Sequence, residues 1–240
     1  VLLAGRFGSP ASAGPADLGI AAAAGVAALV GHVFAVNQPF RGGKGVGGYE
    51  GGFRVPCVVS WPGHVQENVA TGEFMAMEDW MPTILSALGE PELKDELLKG
   101  KTIGSMTYKV HLDGYDQTEL LRGKGKSKRK DFYYFTETTL HGLRYGDWKF
   151  LFKTQDKWFN GIQENLNTPL ITNLKLDPFE RFHEARGFDE WQENRSWTLA
   201  PATAQIAKFM KSLQEYPPRI KSLDFDLDAM VADASASQAR

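Results

Sequence analysis

The chain has 240 residues, 42% hydrophobic and 23% charged, the balance of a soluble globular protein of one or two domains. A formal net charge of -2 removes the global electrostatic case for a nucleic-acid or acidic-membrane partner. A single cysteine, Cys57, excludes an internal disulfide framework.

Residues 1–38 stand apart as an Ala/Gly-rich leader, and from Leu18 to Val36 there is no Asp, Glu, Lys or Arg. A stretch of that length just spans a bilayer. Alanine and glycine make it weakly hydrophobic, however, and polar His32 lies near its end. As a signal-peptide core it is long, and Gly14-Pro15 does not suit one. The expectation is an irregular leader separate from the domain behind it, with a membrane span as the lesser reading. The chain begins on Val1 rather than methionine, which points to a processed, truncated or fragmentary chain.

The next stretch reads PFRGGKG, then YEGGFRVP, then WPG, over residues 39–63. Seven glycines between Gly42 and Gly52 free the backbone to pass close to a neighbour. Arg41 and Lys44 put positive charge on that loop, a way to present a cation to a bound oxyanion. Residues 53–61, with Phe53, Val55, Val58 and Val59, predict a strand buried on both faces, with Cys57 a buried, inert thiol inside it. Gly43, Gly45 and Gly48 satisfy G-x-G-x-x-G, but no strand precedes them and no helix is expected to follow, so a dinucleotide site is rejected. Gly45 after Lys44 rules out a Walker A loop.

These strings resemble the second signature region of type I sulfatases, bacterial arylsulfatases in particular. The resemblance runs from Pro39 to about Arg219 with weaker echoes and stops upstream of Pro39. It implies an α/β fold: residues 39–123 as the C-terminal part of an alkaline phosphatase-like core, and residues 124–240 as a small antiparallel sheet with a C-terminal helix. It implies that Lys44 contacts the substrate sulfate and assists the leaving group. Arg41, which the resemblance does not assign, reads as a second substrate-binding cation or as a brace of the loop through Glu50. The resemblance also implies calcium and a formylglycine made from a Cys/Ser-x-Pro-x-Arg motif. No such motif occurs in these residues. The family's Asp-Asn-Gly metal segment has only Asp17-Leu18-Gly19 as a counterpart, and Leu18 has no oxygen for a hard cation. No metal ligand is assigned.

Further along, residues 78–89 predict a helix with Asp79 as N-cap, Pro82 in the first turn and Ile84, Leu85 and Leu88 on its apolar face. Residues 91–100 predict a short surface helix. His111-Leu112-Asp113 reads as a structural turn rather than a metal pair, followed by a short helix through Leu120 and Leu121. Residues 122–130 hold six basic side chains in nine positions and read as a solvated linker, since no aromatic interleaves them. Beyond it, residues 132–137, 142–145 and 148–152 predict an antiparallel meander with Gly146-Asp147 as a hairpin turn, and residues 171–176 a further strand. Asp177 and Glu180 read as turn and cap rather than paired catalytic carboxylates. Residues 200–216 predict a helix with Ile206, Phe209, Met210 and Leu213 on one face. Asp224, Asp226 and Asp228 imitate an EF-hand start, but Ala229 and Ser235 fill positions that calcium binding needs as glycine and glutamate. The Ala/Ser-rich residues beyond predict disorder.

The function implied is hydrolysis of a small-molecule sulfate ester, in a periplasmic or secreted setting by family analogy. Without nucleophile or metal ligands, the isolated chain is expected to be inactive. Two alternatives stay open: a phosphomonoester or phosphonate hydrolase of the alkaline phosphatase superfamily, and a non-catalytic fragment that binds sulfated ligands.

Overall fold

The computed structural model describes residues 47–136, 139–155 and 161–217. The expectations for the leader, Arg41, Lys44, Asp17 and the Asp224–Asp228 triplet fall outside these residues. In chain order the elements are α1 (Glu50–Phe53), α2 (Trp80–Ala87), α3 (Leu93–Lys99), β1 (Lys101–Ile103), β2 (Met106–Tyr108), α4 (Thr118–Leu121), β3 (Asp131–Thr136), β4 (Thr139–Tyr145), β5 (Trp148–Gln155), β6 (Gln163–Asn173), α5 (Phe188–Glu193) and α6 (Leu199–Glu215). Contacts divide them into two units. Val55–Lys130 forms one, and the residues up to Arg54 join those from Asp131 onward to form the other.

The first unit is built on one buried ion pair. Asp79 does precede α2, but its side chain makes no capping bond there. Its carboxylate, 0% exposed, instead takes Arg129, whose Nη2 donates at 2.7 Å and Nε at 2.9 Å. It also accepts the amides of Tyr115 at 2.7 Å and Ala76 at 3.0 Å. Thr83 Oγ1 donates to the Asp79 carbonyl and accepts the Gln117 amide at 2.9 Å. One carboxylate thus ties together the start of α2, the turn before α4 and the end of the basic run. The solvated-linker expectation for 122–130 therefore fails at Arg129, which is 6% exposed. A bidentate partner offsets the desolvation of a guanidinium. Leu88, expected on the apolar face of α2, is 70% exposed.

Residues 53–61 form no strand. Residues 54–61 have no regular structure, and the strand pairs among the described residues do not include them. A β-prone run becomes a strand only where a neighbour takes its N–H and C=O groups. Upstream, the chain folds as α1, closed by Arg54 N–H on the Glu50 carbonyl at 2.7 Å. Cys57 is exposed rather than buried.

In the second unit the four-stranded sheet has the order β3-β4-β5-β6, all antiparallel. Gly146, at φ +63°, takes the first of two loop positions between the paired Tyr145 and Trp148, as the sequence predicts. One face carries the apolar core: Leu143, Phe150 and Ile171 against Ala202 and Ile206 of α6. Phe209 of α6 stacks on Tyr133 with ring centroids 3.9 Å apart.

Candidate functional site

The other face of this sheet receives residues 47–53, the end of the glycine-rich loop. Gly47 and Gly48 both have positive φ, at +71° and +74°. A Cβ on Gly48 would lie 2.9 Å from Leu151 Cδ2 and 3.0 Å from His141 Cβ, so here glycine is required by contact as well as by φ. Phe53 packs edge-on to Tyr134 with centroids 5.0 Å apart.

Beneath α1 lies a buried charge cluster. Glu50, Lys149 and Glu180 are 2%, 0% and 1% exposed. Lys149 Nζ lies 2.6 Å from Glu180 Oε1 and 3.2 Å from Glu50 Oε1. The Glu50 amide donates to Glu180 Oε2 at 2.6 Å. Tyr134 donates its hydroxyl to Glu50 Oε1, and Arg144 approaches the other Glu50 oxygen at 3.9 Å. Burial pushes the Glu50 carboxyl up, but Lys149, Tyr134 and Arg144 outweigh it and the net shift is downward. For Glu180 burial dominates the opposing pull of Lys149, and its carboxyl is raised. Tyr134, buried against Glu50, is held well above the ordinary phenol range.

Glu180 sits at φ +54°, uncommon for a non-glycine residue. Asp177 fulfils its turn role by accepting the Phe182 amide at 2.8 Å. Glu180 is more than part of a turn, because its carboxylate reaches back to Glu50 across 130 positions of sequence. The sequence signal for this cluster was Lys149, a cation inside the apolar run Trp148-Lys149-Phe150-Leu151-Phe152. Strand alternation sends it to the face opposite Phe150. As for Glu50, its carboxylate is met by Tyr134 and Lys149; Arg41, the brace expected for it, lies outside the described residues.

His141 was also missed. Tyr134 pairs with Gly142 and Phe135 with Leu140, so His141 is the extra residue of a β-bulge. Two positions from core residue Leu143, it would otherwise point toward α6. The bulge instead sets its Cβ beneath Gly48. It is 0% exposed, and neither ring nitrogen has a hydrogen-bond partner among the described residues. Burial, with Lys153 adding to it, lowers its pKa from 6.5 to about 4.

Elsewhere, His111 Nδ1 lies 3.0 Å from Asp113 Oδ1, a pair within the turn. Among the described residues no group of three His, Cys, Asp or Glu side chains could hold a metal ion. Nor is any helix among them long and apolar enough to cross a membrane.

Comparison with known proteins adds a family context. The family model described as Sulfatase matches residues 25–90. That match reaches upstream of Pro39, where the motif resemblance was expected to stop. Arylsulfatase A of Homo sapiens is 28% identical over 216 residues, covering 83% of this chain and 36% of that protein. N-acetylgalactosamine-6-sulfatase of Mus musculus is 26% identical, covering 77% of this chain and 35% of that protein. A crystal structure of PsFucS1 sulfatase from Pseudoalteromonas sp. superposes with a TM-score of 0.59 at 27% identity, over 75% of this chain and 34% of that one. The chain thus spans about a third of the length of these relatives.

Proposed function

We propose that this chain, similar to sulfatases over the part that these matches cover, forms the C-terminal part of a sulfuric ester hydrolase. In this reading Lys44 grips the sulfate of a small-molecule ester and assists the departing oxygen, with Arg41 beside it. A lysine ammonium is a compact point charge suited to an oxyanion that needs no bidentate recognition. The observation that carries the reading is the family match over residues 25–90, which contains the whole Lys44 loop. Residues 55–123 then belong to the catalytic core, while residues 47–54, expected with them, pack in the unit of the small sheet, in a protein that works outside the cytoplasm.

The chemistry needs a nucleophile and a metal as well as a cation. The 240 residues contain no Cys/Ser-x-Pro-x-Arg motif, so neither formylglycine nor calcium is assigned a place on them. The relatives compared are named as sulfatases, and no observation favours a phosphoester in place of a sulfate ester.

The test has two parts. The purified chain, given 4-nitrophenyl sulfate with calcium, is expected to release no nitrophenol. Titrated with inorganic sulfate, it is expected to bind, and Lys44→Ala to abolish that binding. Calcium-dependent turnover would overturn the first expectation, and undiminished binding by Lys44→Ala the second.

A further inference from the structure

Residues 47–53 cannot hold their own shape. α1 has four residues, two of them glycine. So short a helix does not repay its nucleation, and glycine weakens it further. Yet Tyr49 and Glu50 are 3% and 2% exposed, seated as firmly as core residues. The charge cluster seats them by both available handles. The Glu50 backbone amide is taken by Glu180, and the Glu50 carboxylate by Lys149 and Tyr134. Lys149 also lies over the Tyr134 ring, 4.1 Å from its centroid.

Two carboxylates and one ammonium are a costly way to stabilise a core, since apolar residues of similar volume commonly do as well or better. What such a cluster does supply is a fixed geometry. Lys149 stands on β5, one of the two inner strands, anchored by ladders on both sides, and so transfers the sheet's rigidity to the segment above it. Without its ammonium the two carboxylates would repel each other and the Glu50 amide would lose its grip on Glu180.

We propose that Lys149 is a positioning residue: held between Glu50 and Glu180, it sets the backbone of residues 47–53, on which sulfate binding through Lys44 depends. This rests on the reading of Lys44 given above.

The experiment is backbone-amide NMR on the 240-residue chain, with inorganic sulfate as the probe and hydrogen exchange as a second readout. It compares wild type, Lys44→Ala, Lys149→Met and Ile206→Ala, the last disturbing only the opposite face of the sheet. In wild type, sulfate should shift the Gly47 and Gly48 amides saturably. Lys149→Met should weaken that binding about tenfold or more and deprotect the amides of 47–53. Ile206→Ala should leave sulfate affinity unchanged although it lowers the melting temperature. Wild-type affinity and protection in Lys149→Met would overturn the positioning role and leave the sulfate reading standing. Binding that survives Lys44→Ala, or absent from wild type, would overturn the sulfate reading, and the positioning role with it. If Lys149→Met does not fold, Glu180→Gln, which keeps the shape and removes one charge, carries the same comparison.

Discussion

His141 shows how much one side chain can hide from a sequence. In a strand reading it is simply the residue two before Leu143, destined for the same core. The bulge reverses its direction and leaves both nitrogens without partners among the described residues. Its pKa, lowered from 6.5 to about 4, means that the unfolded chain binds the proton more readily than the folded one. The stability contributed by keeping it neutral is complete above pH 6.5 and is lost as pH falls toward 4. His141→Leu should remove that dependence. The difference in melting temperature between mutant and wild type, measured in steps from pH 7 to pH 4, is expected to widen in the mutant's favour. A constant difference would contradict the assignment. Asp79 teaches the same lesson in reverse. Its place at a helix start was legible, but its partner Arg129 lies 50 positions away, and sequence spacing carries no information about such pairs.

At the scale of elements, local chemistry was a good guide where an element could be read from its own residues. The hairpin at Gly146, the strands around it and helix α6 follow from turn residues and periodicity. The 53–61 run failed because a strand is a property of a pair. Its Val-rich composition records a preference for extended backbone, and no described neighbour pairs with it. Elements joined through charge are the fragile ones. Arg129→Ala would leave Asp79 buried and unpaired and should cost about 3–5 kcal/mol in urea unfolding of the first unit. Gly48→Ala tests the loop's seat on the sheet. The added methyl meets Leu151 and His141 at a backbone angle that disfavours it, and a loss of about 1–3 kcal/mol is expected. A neutral result would show that residues 47–48 can lift from the sheet at little cost.

At the scale of the whole molecule, the likeness to sulfatases and the fold class were legible from a few long, ordered strings, PFRGGKG and YEGGFRVP, which the later comparisons match. What the motifs did not reveal was how residues 47–54 are held: they pack with the sheet that begins at Asp131, far along the chain.

Cys57 gives the molecule a practical property. It is the chain's one sulfur of its kind, and it is exposed. A maleimide dye should therefore attach once per molecule, with no engineering, and mass spectrometry should find a single adduct. Burial by the surrounding chain still pushes the thiol up from its usual value, so less thiolate is present at neutral pH and coupling should run slower than with a small free thiol. The same arithmetic limits oxidation: with one thiol each, two molecules can be joined by a disulfide, and a third cannot be added.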